Sequence, residues 1–310
     1  MRRRGNTVVR LTPGIPAGTR TRLVEHYGPT VRTWLHGAGN KIAATAAQSE
    51  ITVDGFHDAG WTSVVAVGRD AAGQLVILKA FPDPDRYHHE QAALTHWAGH
   101  SSCCLLGSDD TARVLIIELV GRAAGGASAP NDAAERVADV LPQLHRIEVE
   151  PDSSVPTLRD YYRQTVLPRI QHRASRHGTA VGEETVCGAL DLGAKLCTER
   201  HRRAMLHSDL YAENVVFDAE QVPVFIDPHP KIGSPAFDWA FWCVYYRQDG
   251  GFATRVALCR SHVPDLANEV LAWSLTLAVD GALYYTENND PDAAMMLQVL
   301  ASPELAHVRW

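Results

Sequence analysis

The stretch His207-Ser-Asp-Leu-Tyr-Ala-Glu-Asn214 is followed, thirteen residues after its asparagine, by Asp227 in Val224-Phe-Ile-Asp-Pro228. Two short strand-like runs, Val215 to Phe217 and Val222 to Ile226, lie between the polar residues, separated by Asp218-Ala-Glu-Gln221, a turn composition. This predicts an antiparallel hairpin whose open end brings Asn214 and Asp227 together. Hard divalent cations want oxygen ligands, and Mg²⁺ in phosphotransferases takes only one or two protein side chains besides water and phosphate oxygens. An amide oxygen and a carboxylate suffice. Asp209, on the loop entering the hairpin, is placed to accept the proton of a hydroxyl that attacks a γ-phosphate. The spacing therefore predicts phosphoryl transfer, with Asp209 as base and Asn214 and Asp227 as Mg²⁺ ligands. Any one of these residues alone reads as an ordinary polar turn or strand end.

Such chemistry also needs a hold on the phosphates of ATP. Leu75-Val-Ile-Leu-Lys79-Ala80 has a buried-strand pattern interrupted by a lysine, and a buried ammonium needs an anion. Glu90, eleven residues on, lies in Arg86 to Trp97, whose apolar positions recur near a helical period. It is the candidate partner. Upstream, Asp54 to Ser63 followed by Val64 to Val67 reads as strand, turn and strand. The main chain from Gly60 to Ser63 can cradle phosphate oxygens, although its glycines do not form a Gly-x-Gly-x-x-Gly run, and a plain hairpin explains it equally well.

The pattern His-x-Asp-x-x-x-x-Asn, then Ile226-Asp-Pro228, then Gly233-Ser-Pro-Ala-Phe-Asp238 resembles the aminoglycoside phosphotransferase family, within it the streptomycin 6-phosphotransferase and hydroxyurea phosphotransferase branch. Ser234 stands where that family more often has aspartate, and Tyr211 replaces a frequent histidine; neither touches the proposed metal ligands. The resemblance implies an α+β, two-lobed protein-kinase-like fold. It would have a small N-terminal lobe of antiparallel sheet and one helix, and a larger, mainly helical C-terminal lobe. It further implies that Lys79 contacts the α and β phosphates with Glu90 orienting it, and that adenine meets the backbone of Glu118 to Val120. Asp238 would hydrogen-bond the main chain around His207 to support Asp209. A Ser cap, a proline and an acid in the first turn explain Asp238 as a helix start without that role. The acceptor implied is a cationic aminoglycoside of streptomycin type. A metabolic kinase for a sugar, amino sugar or hydroxylated amine is the rival reading, and a nucleotide-binding regulator without turnover a more distant one.

Length supports two lobes around a cleft, since 310 residues is at the upper limit for one core. The expected division is 1–121, ending in a hinge, and 122–310, with the small-residue, Pro-containing run Arg122 to Asn131 at the boundary. Thr21 to Gly37 reads as one helix, and Asn131 to His145 as another whose final histidine suits the C-terminal dipole. A net charge of −7 argues against broad nucleic-acid binding. No apolar run reaches membrane-spanning length, and no obligate protein partner is evident. Six cysteines without a Cys-x-x-Cys pair, behind a start lacking a signal-like apolar segment, predict a reducing cytoplasm. His88, His89, His201 and His207 lack metal-ligand spacing. In Asp280 to Asp292 there are four acids and no base, and Trp273, Leu277, Asp280 and Tyr284 share a helical face. Asp280, Tyr284 and Glu287 are the candidate cation-binding residues, against the alternative of a core stripe beside a solvated acidic loop.

Overall fold

The computed structural model describes residues 11–122, 129–149, 154–198, 203–246, 251–306 and 308. The basic start, most of the expected boundary segment and His201 lie outside them. The chain divides into two compact units, Met1–Ser128 with Phe217–Glu220, and Ala129–Val216 with Gln221–Trp310.

The first unit opens with α1 (Ala17–Tyr27) and α2 (Val31–Gln48). The single helix expected over Thr21 to Gly37 is thus two. Gly28, at a φ of 79°, leaves the helical region, and Pro29 follows it and cannot continue the helix. Next come β1 (Thr52–His57), β2 (Val64–Arg69), β3 (Leu75–Ala80), α3 (Pro84–His96), β4 (Leu105–Asp109) and β5 (Val114–Glu118). The five strands form one antiparallel sheet in the order β1-β2-β3-β5-β4. Leu35, Ala38, Ile42 and Ala46 recur at helical spacing along α2 and bury against Ala66, Val76, Leu78, Ala80 and Ile116. Alternation along β3 therefore sends Val76, Leu78 and Ala80 toward α2 and Lys79 to the opposite face. The start of α3 is set by Asp83, whose carboxylate accepts from the Asp85 amide, and by Pro84 in the first turn.

The second unit is mainly helical. α4 (Ala133–Leu144) and α5 (Leu158–Tyr161) come first, and α5 runs through a widened π turn (Tyr162–Val166) into α6 (Leu167–His177). Pro168 explains the widened turn, because it cannot donate to the turn before it. After α7 (Glu183–Leu196) come β6 (Ala204–Leu206), β7 (Val215–Phe217), β8 (Pro223–Phe225) and β9 (Lys231–Gly233). α8 (Ala236–Tyr245), α9 (Gly251–His262), α10 (Ala267–Glu287) and α11 (Asp292–Leu300) complete it. α10 packs against α6, α7, α8, α9 and α11, which is why Val270 to Leu283 is buried almost all round. Trp273 on α10 meets the edges of Tyr162 and Phe237. Among the described residues no helix is long and apolar enough to cross a membrane.

Two small ribbons position the loops that matter. β7 pairs with β8 as the expected hairpin, and β6 pairs antiparallel with β9, Leu206 opposite Lys231. The segment from His207 to Asn214 therefore joins one ribbon to the other, and so does the segment from Ile226 to Pro230.

Candidate active site

The Ile226 amide donates to the Asn214 carbonyl at 3.0 Å, which closes the open end of the hairpin and sets Asn214 beside the residue preceding Asp227. The His229 amide donates to the His207 carbonyl at 2.9 Å, and His207 Nε2–H donates to the Ile226 carbonyl at 2.9 Å. The two loops are thereby laced together. Asn214 Nδ2 donates to the main-chain oxygen and to the carboxylate of Asp209, both at 2.8 Å. With its amide nitrogen so committed, Asn214 has its side-chain oxygen left to serve a cation. Asp227 has a φ of 56° and Ser208 one of 60°, a left-handed conformation that aspartate tolerates better than most residues. Backbone strain of this kind collects at functional sites. An amide oxygen and a carboxylate form a hard, all-oxygen donor set that fits Mg²⁺.

Asp238, fully buried in the first turn of α8, holds the loop from behind. Its carboxylate accepts from the His207 amide at 2.7 Å, the Ser208 amide at 2.8 Å and His145 Nε2–H at 2.9 Å. The Ser234 hydroxyl accepts from the Ala236 amide at the same helix start. Helix-terminal position alone does not account for His145. It caps α4, and its ring is buried against a carboxylate ninety-three positions away. The only sequence signal for that was an apolar helix ending in histidine.

Asp209 opens into a cavity of about 190 Å³ within the second unit. Tyr161, Tyr211, Phe237, Phe241 and Tyr245 supply aromatic walls, and His229, Arg169 and Asp280 supply polar ones. Burial pushes the Tyr161 and Tyr245 phenols up, so both stay neutral hydrogen-bonding groups. Asp280 thus shares a cavity with Asp209, but its carboxylate already accepts from Arg169 Nε at 3.1 Å, from Arg169 Nη2, and from Arg173 Nη1 at 3.0 Å. Glu287 pairs with Arg173 and Arg176, each at 3.1 Å, and the Arg173 guanidinium lies 4.8 Å over the Tyr284 ring. α6 of the chain itself thus supplies the cations that meet these candidate cation-binding residues. Tyr284 and Glu287 are not among the residues lining the cavity, and the residues as far as Glu287 belong to α10 rather than to a loop. Arg169 was not legible as a site residue, since nothing in its own segment marks it.

In the first unit, Lys79 Nζ donates to Glu90 Oε1 at 2.5 Å, and Arg86 braces the other oxygen of Glu90 at 3.1 Å, with both acid and lysine buried. The turn between β1 and β2 is fastened to α1. Asp58 accepts from Arg22 at 2.7 Å and from the Thr19 hydroxyl at 3.0 Å. Arg22 Nε also donates to the Gly60 carbonyl, and the Tyr27 hydroxyl to that of Thr62. A Cβ at Gly60 would lie 1.9 Å from the carbonyl oxygen of buried Ser63, so only glycine fits. At the end of β5 the Glu118 amide donates to the Cys104 carbonyl, and its carboxylate accepts from the Cys104 amide. Its side chain therefore closes the junction with the edge strand. Val120 begins a tight turn in which Gly121 takes a φ of 70°.

Residues 49–257 match the family described as aminoglycoside/hydroxyurea antibiotic resistance kinase. The chain belongs to that family. This kinase is 25% identical over 242 residues to the streptomycin 6-kinase of Streptomyces griseus, covering 72% of each chain. It is 24% identical over 303 residues to that of Streptomyces glaucescens, covering 92% of this chain and 96% of the relative. Its fold matches a thermostable mutant of an aminoglycoside phosphotransferase solved with ADP and hygromycin B, with a TM-score of 0.58 at 14% identity, covering 87% of this chain and 99% of that one. It matches the choline kinase LicA of Streptococcus pneumoniae with the same score and identity, covering 86% and 99%. The α+β, kinase-like fold expected from the motifs is therefore the fold observed.

Proposed function

We propose that this kinase transfers the γ-phosphate of ATP to a hydroxyl of an aminoglycoside of streptomycin type and so inactivates the antibiotic. The observation that carries the reading is the Asp209 carboxylate, fixed by Asn214 and facing an aromatic-walled cavity. There it can take the proton of an acceptor hydroxyl as the oxygen attacks phosphorus. Asn214 and Asp227 are the residues that would hold Mg²⁺, which when bound neutralises charge on the transferring phosphate. Lys79, held by Glu90, contacts the α and β phosphates. The main chain of Gly60 to Ser63 covers them, and the backbone from Glu118 to Val120 receives the adenine. Asp238 and His207 keep the Asp209 loop in place. The streptomycin 6-kinases at 24% and 25% identity support the choice of acceptor.

One observation favours the metabolic kinase as a second reading. Asp280 and Glu287 are matched by Arg169, Arg173 and Arg176, which lowers the capacity of this region to attract a cation and suits a neutral hydroxylated ring. Acceptor-dependent ADP release, measured across streptomycin, hygromycin B, hydroxyurea, choline and neutral sugars, separates the two. Streptomycin as the acceptor of highest kcat/KM supports the first; a neutral sugar in that place overturns it.

A further inference from the structure

Lys231 begins β9 and is almost completely buried, with 3% of its surface exposed. A buried ammonium is costly unless its hydrogens and charge are matched. Its surroundings suggest what the charge is for. Nζ donates to the carbonyl of His229 at 2.9 Å and to that of Pro230 at 3.1 Å, in the segment leaving Asp227. The same atom sits 4.6 Å over the ring of Tyr161, a geometry in which a cation is held by the aromatic face. Tyr161 and His229 both line the Asp209 cavity, and Lys231 stands opposite Leu206, the residue before the catalytic loop begins.

We propose that Lys231 is a positioning residue for phosphoryl transfer, a buried cation that holds the Tyr161 wall of the acceptor cavity and the segment following Asp227 in one arrangement. This rests on the reading of Asp209 as base and Asp227 as metal ligand. Lys231 touches neither acceptor nor phosphate in this role. It sets the distance between the wall against which the acceptor packs and the loop that carries the metal ligand. Two parts of the site that are separate in sequence thereby respond to a single charge.

The test compares Lys231→Met, Lys231→Arg, Tyr161→Leu, Tyr161→Phe and the Lys231→Met/Tyr161→Leu double variant by steady-state kinetics in both substrates, with thermal melting alongside. Lys231→Met is expected to lower kcat by ~10-fold or more and to raise the acceptor KM, with the ATP KM within about two-fold of wild type. Some loss of melting temperature is expected as well, because the His229 and Pro230 carbonyls lose their donor. Lys231→Arg should recover part of the loss, and Tyr161→Phe, which keeps the ring, should retain more activity than Tyr161→Leu. The double variant should be little worse than the more impaired single one, because both remove the same contact. Wild-type kinetics in Lys231→Met, or fully additive losses in the double variant, would overturn the proposal. If Lys231→Met does not fold, a Tyr161→Leu variant indistinguishable from wild type overturns it instead. Should the wild type phosphorylate no acceptor, the aminoglycoside reading fails by itself. The same comparison is then read in phosphoryl transfer from Mg·ATP to water, followed as release of ADP and phosphate, where an unslowed Lys231→Met defeats the role of Lys231.

Discussion

Asn214 binds Asp209 twice, through one amide nitrogen that reaches both the carboxylate and the main-chain oxygen at 2.8 Å. The contact fixes the Asp209 carboxylate and leaves the asparagine's side-chain oxygen for a cation, so in the proposed mechanism one side chain would serve both the base and the metal.

Replacing Asp209 by Asn keeps the size of the side chain and removes its ability to take a proton. Turnover should fall by ~10²-fold or more with the fold and ATP affinity retained. Acceptor-dependent ADP release and nucleotide titration check this. Near-normal turnover would remove Asp209 from the base role.

At position 227 the backbone matters as well as the charge. Asp227→Ala removes the proposed ligand and also places alanine at a φ of 56°, so it should lose stability as well as function. Asp227→Asn tolerates that backbone and isolates the charge. It should demand more Mg²⁺ and weaken nucleotide use together, without a large change in melting temperature. Complete rescue by excess Mg²⁺ with normal ATP affinity would mean that Asp227 is not a ligand.

Glu90 holds two cations, Lys79 and Arg86, in a buried setting. Glu90→Ala should therefore cost about 3–5 kcal/mol, because it leaves buried charge without its partner. Lys79→Met leaves Arg86 in place to match the acid, so it should destabilise less while abolishing ATP use. Denaturant unfolding of the two variants, followed by ATP titration, distinguishes these effects. Equal stability losses would argue that Arg86 contributes nothing to the pair.

Asp280→Asn should raise the acceptor KM several-fold and leave the ATP KM nearly unchanged. The structure adds a second expectation. Neutralising Asp280 frees Arg169 and Arg173 from a carboxylate in the cavity wall, so Arg169→Gln should partly restore the acceptor KM in the double variant. Affinity for a cationic acceptor should also fall as salt rises, since only charges within roughly 8 Å escape screening. An unchanged KM in Asp280→Asn would place recognition elsewhere.

The parts that sequence made legible are those whose causes are local. Alternation from Leu75 to Ala80 marked β3, and the turn residues from Asp218 to Gln221 marked the hairpin that unites Asn214 with the Asp227 segment. Local reading failed where a break was subtle, as at Gly28-Pro29, which splits the first helix in two. It also missed contacts that only tertiary packing creates. Neither His145 nor Asp238 announces that the two meet across ninety-three residues, and Asp280 gives no sign of Arg169, one hundred and eleven positions away. An acidic stretch looks the same whether it faces solvent, a ligand or its own protein's arginines.

The bonds made by Asp238 also impose an order on assembly. The loop carrying Asp209 leaves the ribosome some thirty residues before the carboxylate that anchors the His207 and Ser208 amides. Domains of this size organise as units while synthesis proceeds from the N-terminus. A chain stopped just after β9 would therefore contain the base and both proposed metal ligands and still lack the group that fixes the base loop. The loop gains its anchor only with the first turn of α8, and the cavity beside Asp209 gains its Leu277 and Asp280 wall only once α10 has been made.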